Sequence, residues 1–112
     1  IIYNMNTLII KGNITSIFET ETISSKDGKT WKKQNFIINT GAQYNSEICF
    51  QLFGEERIEI LKNFKVNDHV DVYFNLYSKK FNDRYFHNID AWKIEKSEKE
   101  KNNDIDSENN PF

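Results

Sequence analysis

Apolar and polar residues alternate with a period of two over most of the chain, as expected of strands buried on one face. Leu8, Ile10, Gly12 and Ile14 alternate with Ile9, Lys11, Asn13 and Thr15, and β-branched residues recur as far as Ile23. The pattern predicts a long first strand that bends near Gly12. Ser25-Lys26-Asp27-Gly28-Lys29 is a hairpin signal, because Asp and Gly tolerate positive φ. A second strand is expected from Thr30 to Asn39. After a loop from Gly41 to Ser46, a third runs from Glu47 to Phe53, with Ile48, Phe50 and Leu52 on one face and Cys49, Gln51 and Phe53 on the other. The rhythm changes after Gly54. Apolar residues at 58, 61 and 64 lie three apart, with Glu55 and Glu56 in the first turn and Lys62 near the end, which predicts one short helix over 55–64. Lys65-Val66-Asn67-Asp68 turns the chain into a strand over 69–78, where Val70, Val72, Phe74 and Leu76 alternate with Asp71, Tyr73, Asn75 and Tyr77. A second hairpin around Asn82-Asp83 leads into a fifth strand over 85–95, carrying Phe86, Ile89, Ala91, Trp92 and Ile94.

The order β-β-β-α-β-β predicts an all-β fold, the five-stranded OB-fold barrel with one short helix, which removes its strand edges by closing. A ferredoxin-like fold needs two helices, whereas an SH3-like barrel, which also has five strands, remains a competitor although it usually lacks a full helix at that point. The 112 residues, 38% hydrophobic and 14% aromatic, suffice for one core. Charge divides the chain. Residues 1–96 carry 13 Lys and Arg against 12 Asp and Glu, whereas 97–112 carry Lys99 and Lys101 against Glu98, Glu100, Asp104, Asp106 and Glu108. Within 97–112 only Ile105 and Phe112 are sizeable apolar side chains, too few to offset the entropy of ordering. The expected organisation is therefore a domain over 7–96 followed by a disordered acidic tail over 97–112. With the body so close to neutral, any basic surface must be local.

Catalytic chemistry finds little support. There is no Gly-rich phosphate loop, nucleophile elbow or His-Glu-x-x-His, and the lone Cys49 with His69 and His87 makes neither a disulfide nor a zinc site. Asp68, His69 and Asp71 read as a solvated turn, and Glu55, Glu56 and Glu59 as the wet face of the helix. No enzyme activity, cofactor or metal is expected. No apolar run approaches the roughly 20 residues of a membrane span, and the first residues lack a signal-peptide pattern, so the chain reads as cytosolic with no membrane partner. The first methionine is Met5, and the four residues before it carry no functional reading.

Aromatics interleaved with cations are more informative. Trp31-Lys32-Lys33-Gln34 opens the second strand, and Tyr77-Ser78-Lys79-Lys80-Phe81-Asn82-Asp83-Arg84-Tyr85 spans the second hairpin. Cations follow phosphates while flat rings stack on bases of any sequence, at about 1 to 3 kcal/mol per base. An OB-fold presents its second and third strands, with the loops joining strands one to two and four to five, to such ligands. Those elements hold Trp31, Lys33, Phe53, Lys79, Lys80 and Arg84. Phe36, Phe50, Phe74 and Ile89 fall on inward faces and read as packing. Trp31, Phe53, Tyr73 and Tyr77 fall on the opposite faces, where a large exposed ring needs a reason: ligand stacking or subunit contact. The hairpin cations read either as phosphate contacts or as solubilising charge, and Trp92 can be turned either way by a bulge. The candidate site for single-stranded DNA is thus Trp31, Lys33, Phe53, Tyr73, Tyr77, Lys79, Lys80, Arg84 and Trp92.

The stretch Asp104-Ile105-Asp106-Ser107-Glu108-Asn109-Asn110-Pro111-Phe112 resembles the C-terminal tip of bacterial single-stranded DNA-binding proteins (SSB), an acidic disordered tail ending in Pro-Phe. The resemblance implies that Pro111 and Phe112 dock into a basic-rimmed pocket on replication, repair or recombination enzymes while Asp104, Asp106 and Glu108 steer. Asn110 stands where an apolar residue is common. The body is similar to a group of small OB-fold proteins in Trp31-Lys32-Lys33-Gln34-Asn35-Phe36, Cys49-Phe50-Gln51-Leu52-Phe53-Gly54 and Ala91-Trp92-Lys93-Ile94-Glu95, with Phe53 where that group often has Trp. Classical SSB bodies match less well, so tetrameric assembly is not implied. Two classes follow: an SSB-like protein of a bacterial or phage-infected cytoplasm that coats strands and recruits enzymes, or an OB-fold interaction module whose aromatic face is a homo-oligomer interface.

Overall fold

The computed structural model describes residues 7–97. They form β1 (Leu8–Ile17), β2 (Glu21–Ser24), β3 (Thr30–Asn39), β4 (Glu47–Phe53), α1 (Glu55–Leu61), β5 (His69–Phe81) and β6 (Arg84–Lys96). The tail expected over 97–112, and with it the acidic tip, lies outside the described residues apart from Ser97. The strands join in the order β1-β5-β6-β4-β3-β2, and a β1–β3 pairing closes the sheet into the expected OB-fold barrel.

β1 makes that closure by changing partner midway. Its first half pairs with β5 from Leu8↔Phe74 to Asn13↔His69, and its second half with β3 from Asn13↔Asn39 to Ile17↔Phe36. The bend expected near Gly12 sits at this switch, for a physical reason. A Cβ on Gly12 would stand 2.6 Å from the Asn39 carbonyl oxygen, so only glycine lets the two backbones approach this closely.

The single long first strand of the sequence reading is two strands. β1 ends opposite Phe36, and β2 resumes opposite Lys33. Residues 18–20 thus face the two positions Gln34 and Asn35, and this one-residue excess breaks the ladder. The Phe18 amide still donates to the Asn35 carbonyl at 3.0 Å, and the Gln34 side-chain amide donates to the Phe18 carbonyl at 2.8 Å. In the β2–β3 hairpin the Ser25 amide donates to the Lys29 carbonyl at 2.8 Å, with Gly28 at φ 87°.

The helix is shorter than the spacing of 58, 61 and 64 suggests. After Leu61 the amides of Lys62, Asn63 and Phe64 each donate three residues back, to Glu59, Ile60 and Leu61, so the last turn tightens out of α geometry. The apolar spacing survives: Ile58 and Leu61 are buried, and Phe64 packs on the core from the turn. Phe36, Ile38, Phe50, Leu52, Val70 and Val72 are fully buried in the barrel. Phe50 is central, 5.4 Å from the Phe36 ring and 5.3 Å from that of Phe74. Each such side chain contributes about 1.5 to 3 kcal/mol by leaving water.

β5 was expected to stop at Ser78, but it continues to Phe81. Phe81 pairs with Arg84 across a two-residue turn, Asn82 at φ 50° and Asp83 at φ 65°, whose twist suits paired strands. β1 leaves β5 at Phe74 and β4 meets β6 at Asp90, and from there to the turn β5 and β6 pair, among the described residues, only with each other, as a two-stranded arm whose base at Ile89 still packs on the core. Among the described residues no helix is long and apolar enough to cross a membrane.

Candidate nucleic-acid interface

Strand parity places one row of side chains across the outside of the barrel. Lys33 of β3 pairs with Phe53 of β4, both half-buried. β4 and β6 run parallel through Gln51↔Asp90, and Phe53 and Trp92 each lie two residues beyond that pairing on their own strands. Trp92 is the extra residue of a bulge, because Tyr73 pairs with Lys93 while Phe74 pairs with Ala91. The bulge turns its ring outward, 5.4 Å from the Tyr73 ring. Tyr73 is held on two sides: the Lys93 ammonium lies 5.0 Å from its centroid, and its hydroxyl donates to Glu95 at 2.9 Å. Lys93 in turn lies 3.3 Å from Glu95.

A second row is polar. Asn35 pairs with Gln51, Gln51 with Asp90, and Asp90 with Asn75. The Gln51 amide donates to Asp90 Oδ1 at 2.5 Å, and the Tyr77 hydroxyl donates to Asp90 Oδ2 at 2.7 Å. Asp90 is only 8% exposed, so these two donors compensate a carboxylate taken out of water. The same hydrogen bond, with burial and the Asp90 charge adding to it, pushes the Tyr77 phenol above its ordinary value. Asp90 and Gln51 escaped the sequence reading. The available signal was an acid set between Ile89 and Ala91 in an otherwise apolar part of the strand.

Trp31, 51% exposed, stands at the end of β3 beside an open depression of about 430 Å³ lined by Thr30, Trp31, Lys32, Phe53, Gly54 and Glu55. Trp31, Lys33 and Phe53 therefore form one end of the face and Trp92 and Tyr73 the other, with Tyr77 tied to its polar middle through Asp90.

The arm carries the remaining candidates, and it does not keep them together. Lys79 pairs with Phe86 and Phe81 with Arg84 on the face that bears Tyr77, whereas Lys80 pairs with Tyr85 and Ser78 with His87 on the reverse. The cations lie near rings on both sides: Lys79 is 6.0 Å from the Tyr77 centroid, and Lys80 is 6.0 Å from that of Tyr85. Phe81, Tyr85 and Phe86, exposed by 66%, 65% and 51%, are rings that the sequence-derived site left out.

Cys49 sits on the outer face, where burial pushes its thiol above the ordinary value and Lys33 opposes this only partly, so it is a poor nucleophile. Asp68 serves its turn, accepting from the Lys65 amide at 3.0 Å. Among the described residues no group of three His, Cys, Asp or Glu could hold a metal ion.

Residues 9–95 match the model of the family described as Domain of unknown function (DUF3127). No curated protein matches the chain by sequence. Among solved structures it is similar to Rim1, a mitochondrial single-stranded DNA-binding protein from S. cerevisiae, with a TM-score of 0.59 and 16% identity over 82% of this chain and 95% of that one. The SSB domain of a Synechococcus sp. protein gives a TM-score of 0.55 and 11% identity over 82% and 96%. The second OB-fold domain of replication protein A from Methanococcus maripaludis gives 0.50 and 20% over 80% and 82%. At these identities the likeness is one of fold: an OB-fold barrel.

Proposed function

The chain belongs to the DUF3127 family, and we propose that it binds single-stranded DNA with little sequence preference. The observation that carries this reading is the row Lys33, Phe53, Trp92 and Tyr73 on the outer sheet face, with Trp31 at its edge and a basic aromatic arm beside it. Rings stack on successive bases and cations neutralise phosphates, neither of which reads sequence. The electrostatics are local: the whole chain has a net charge of -2, whereas residues 76–89 hold Lys79, Lys80 and Arg84 against Asp83 alone. The buried Asp90 carboxylate at the centre of the face repels phosphate, which favours a path with bases toward the sheet and backbone toward Lys33, Lys79 and Arg84. OB-folds of proteins named for binding single-stranded DNA support the reading.

Recruitment of replication, repair or recombination enzymes is assigned to Asp104, Asp106, Glu108, Pro111 and Phe112, on the strength of the sequence resemblance alone. A bacterial or phage-infected cytoplasm suits such a role. A second reading, an oligomer interface, is favoured by the exposure of Phe81 and Phe86. Titration with labelled oligo-dT and oligo-rU at two salt concentrations separates the two. Binding that weakens steeply with salt supports the first, and a chain that binds neither oligomer at low salt refutes it.

A further inference from the structure

The arm bears two cation and ring surfaces set back to back, and the outer face of the barrel continues into only one of them. Successive strand residues point to opposite sides. The front, which shares its side with Asp90 and Tyr77, holds Lys79, Phe81, Arg84 and Phe86. The reverse holds Leu76, Lys80 and Tyr85, with Ser78 and His87 paired at 2.8 Å between them. Within residues 76–89 the one acid is Asp83, in the turn, so the reverse side sets no negative charge against a polyanion, whereas the front continues to Asp90. Among the described residues neither edge of this ribbon pairs with another strand. One layer of sheet is only about 10 Å deep, the spacing at which sheets stack.

Resting on the function proposed above, we propose that single-stranded DNA longer than the barrel face wraps the arm and occupies its reverse side as a second subsite, with Tyr85 as the stacking ring and Lys80 as the phosphate contact. A protein partner fits this side less well, because lysine is depleted at protein interfaces and here Lys80 stands beside the main exposed ring. Leu76, 55% exposed, gives the subsite an apolar floor where it leaves the barrel.

The test uses the full chain and two labelled oligo-dT probes, one of about 6 nucleotides and one of about 30, chosen because one OB-fold occupies about 4 to 16. The double variant Lys80→Ala/Tyr85→Ala is expected to lose about 5-fold or more on the long probe relative to its loss on the short one, with its salt slope on the long probe flatter by about 0.7. Lys79→Ala/Phe86→Ala is expected to weaken both. Acetylation of the unmutated protein gives a readout independent of folding. Lys80 is expected to be shielded by the long probe only, and Lys79 by both. Full reactivity of Lys80 under saturating long probe overturns the second subsite while leaving the function reading standing. Shielding of Lys80 without DNA, rising with protein concentration, overturns it in favour of a second copy of the chain. Failure of the parent to bind either probe refutes the function reading, and the subsite with it.

Discussion

Replacing Trp31 by Ala tests whether the exposed edge of the barrel face stacks on bases. With 51% of its surface exposed, Trp31 buries about 100 Å² in the fold. Losing that area costs at most about 2.5 kcal/mol at 25 cal/mol per Å², an upper bound because unfolded chains already bury some surface. The melting temperature should therefore fall while the protein stays folded in the cold, where binding is measured. A lost base stack costs about 1 to 3 kcal/mol, which is about 5- to 140-fold in Kd. Tryptophan is neutral, so anisotropy titrations with labelled oligo-dT should show this loss undiminished at high salt, with the slope of log K against log salt unchanged. Lys33→Ala should instead flatten the slope by about 0.7 for each phosphate released. Trp31→Phe should recover most of the affinity, since a ring remains. Parental affinity in the folded Ala variant, or a loss that disappears at high salt, would refute stacking at this position.

Gly12→Ala drives a methyl group against the Asn39 carbonyl where β1 changes partner, and thermal unfolding should show a loss of about 1 to 3 kcal/mol, or roughly 4 to 8 °C for each kcal/mol. Tyr77→Phe removes one of the two donors to Asp90, and chemical unfolding at neutral pH should record a loss of about 1.5 kcal/mol. The folded Tyr77 phenol ionises above its ordinary 10.0, so its hydrogen bond contributes in full below that pH and is lost as pH rises through the higher folded value. Tyrosinate absorbance should accordingly show a late-titrating tyrosine that the Phe variant lacks. Deleting residues 104–112 should leave strand binding intact, or slightly tighter at low salt because an acidic segment is gone, while abolishing pull-down of partner enzymes; tailless protein that keeps the same partners refutes the assignment of the tip.

Strand parity was legible in the sequence because it is local: the period of two that buries Phe36 and Phe50 also turns Phe53 and Lys33 outward, whatever lies on the neighbouring strands. Turn chemistry was equally local at Gly28 and at Asn82-Asp83, where positive φ is needed. The split between Lys79 and Lys80 was also within reach of parity. The polar run Ser78-Lys79-Lys80 hides it by looking like a loop, whereas a two-residue turn lets β5 continue to Phe81. Barrel closure decided the rest. It interrupted the first strand through a one-residue excess against β3, and it swung β1 from β5 to β3 at Gly12. It set β4 parallel to β6, so that Gln51 meets Asp90 across a separation of 39 residues, with Phe53 and Trp92 two residues further along the two strands. No period along the chain encodes such a meeting. It follows from which strands become neighbours when the sheet closes, and that is settled by the packing of the whole core around Phe50 rather than by any one segment.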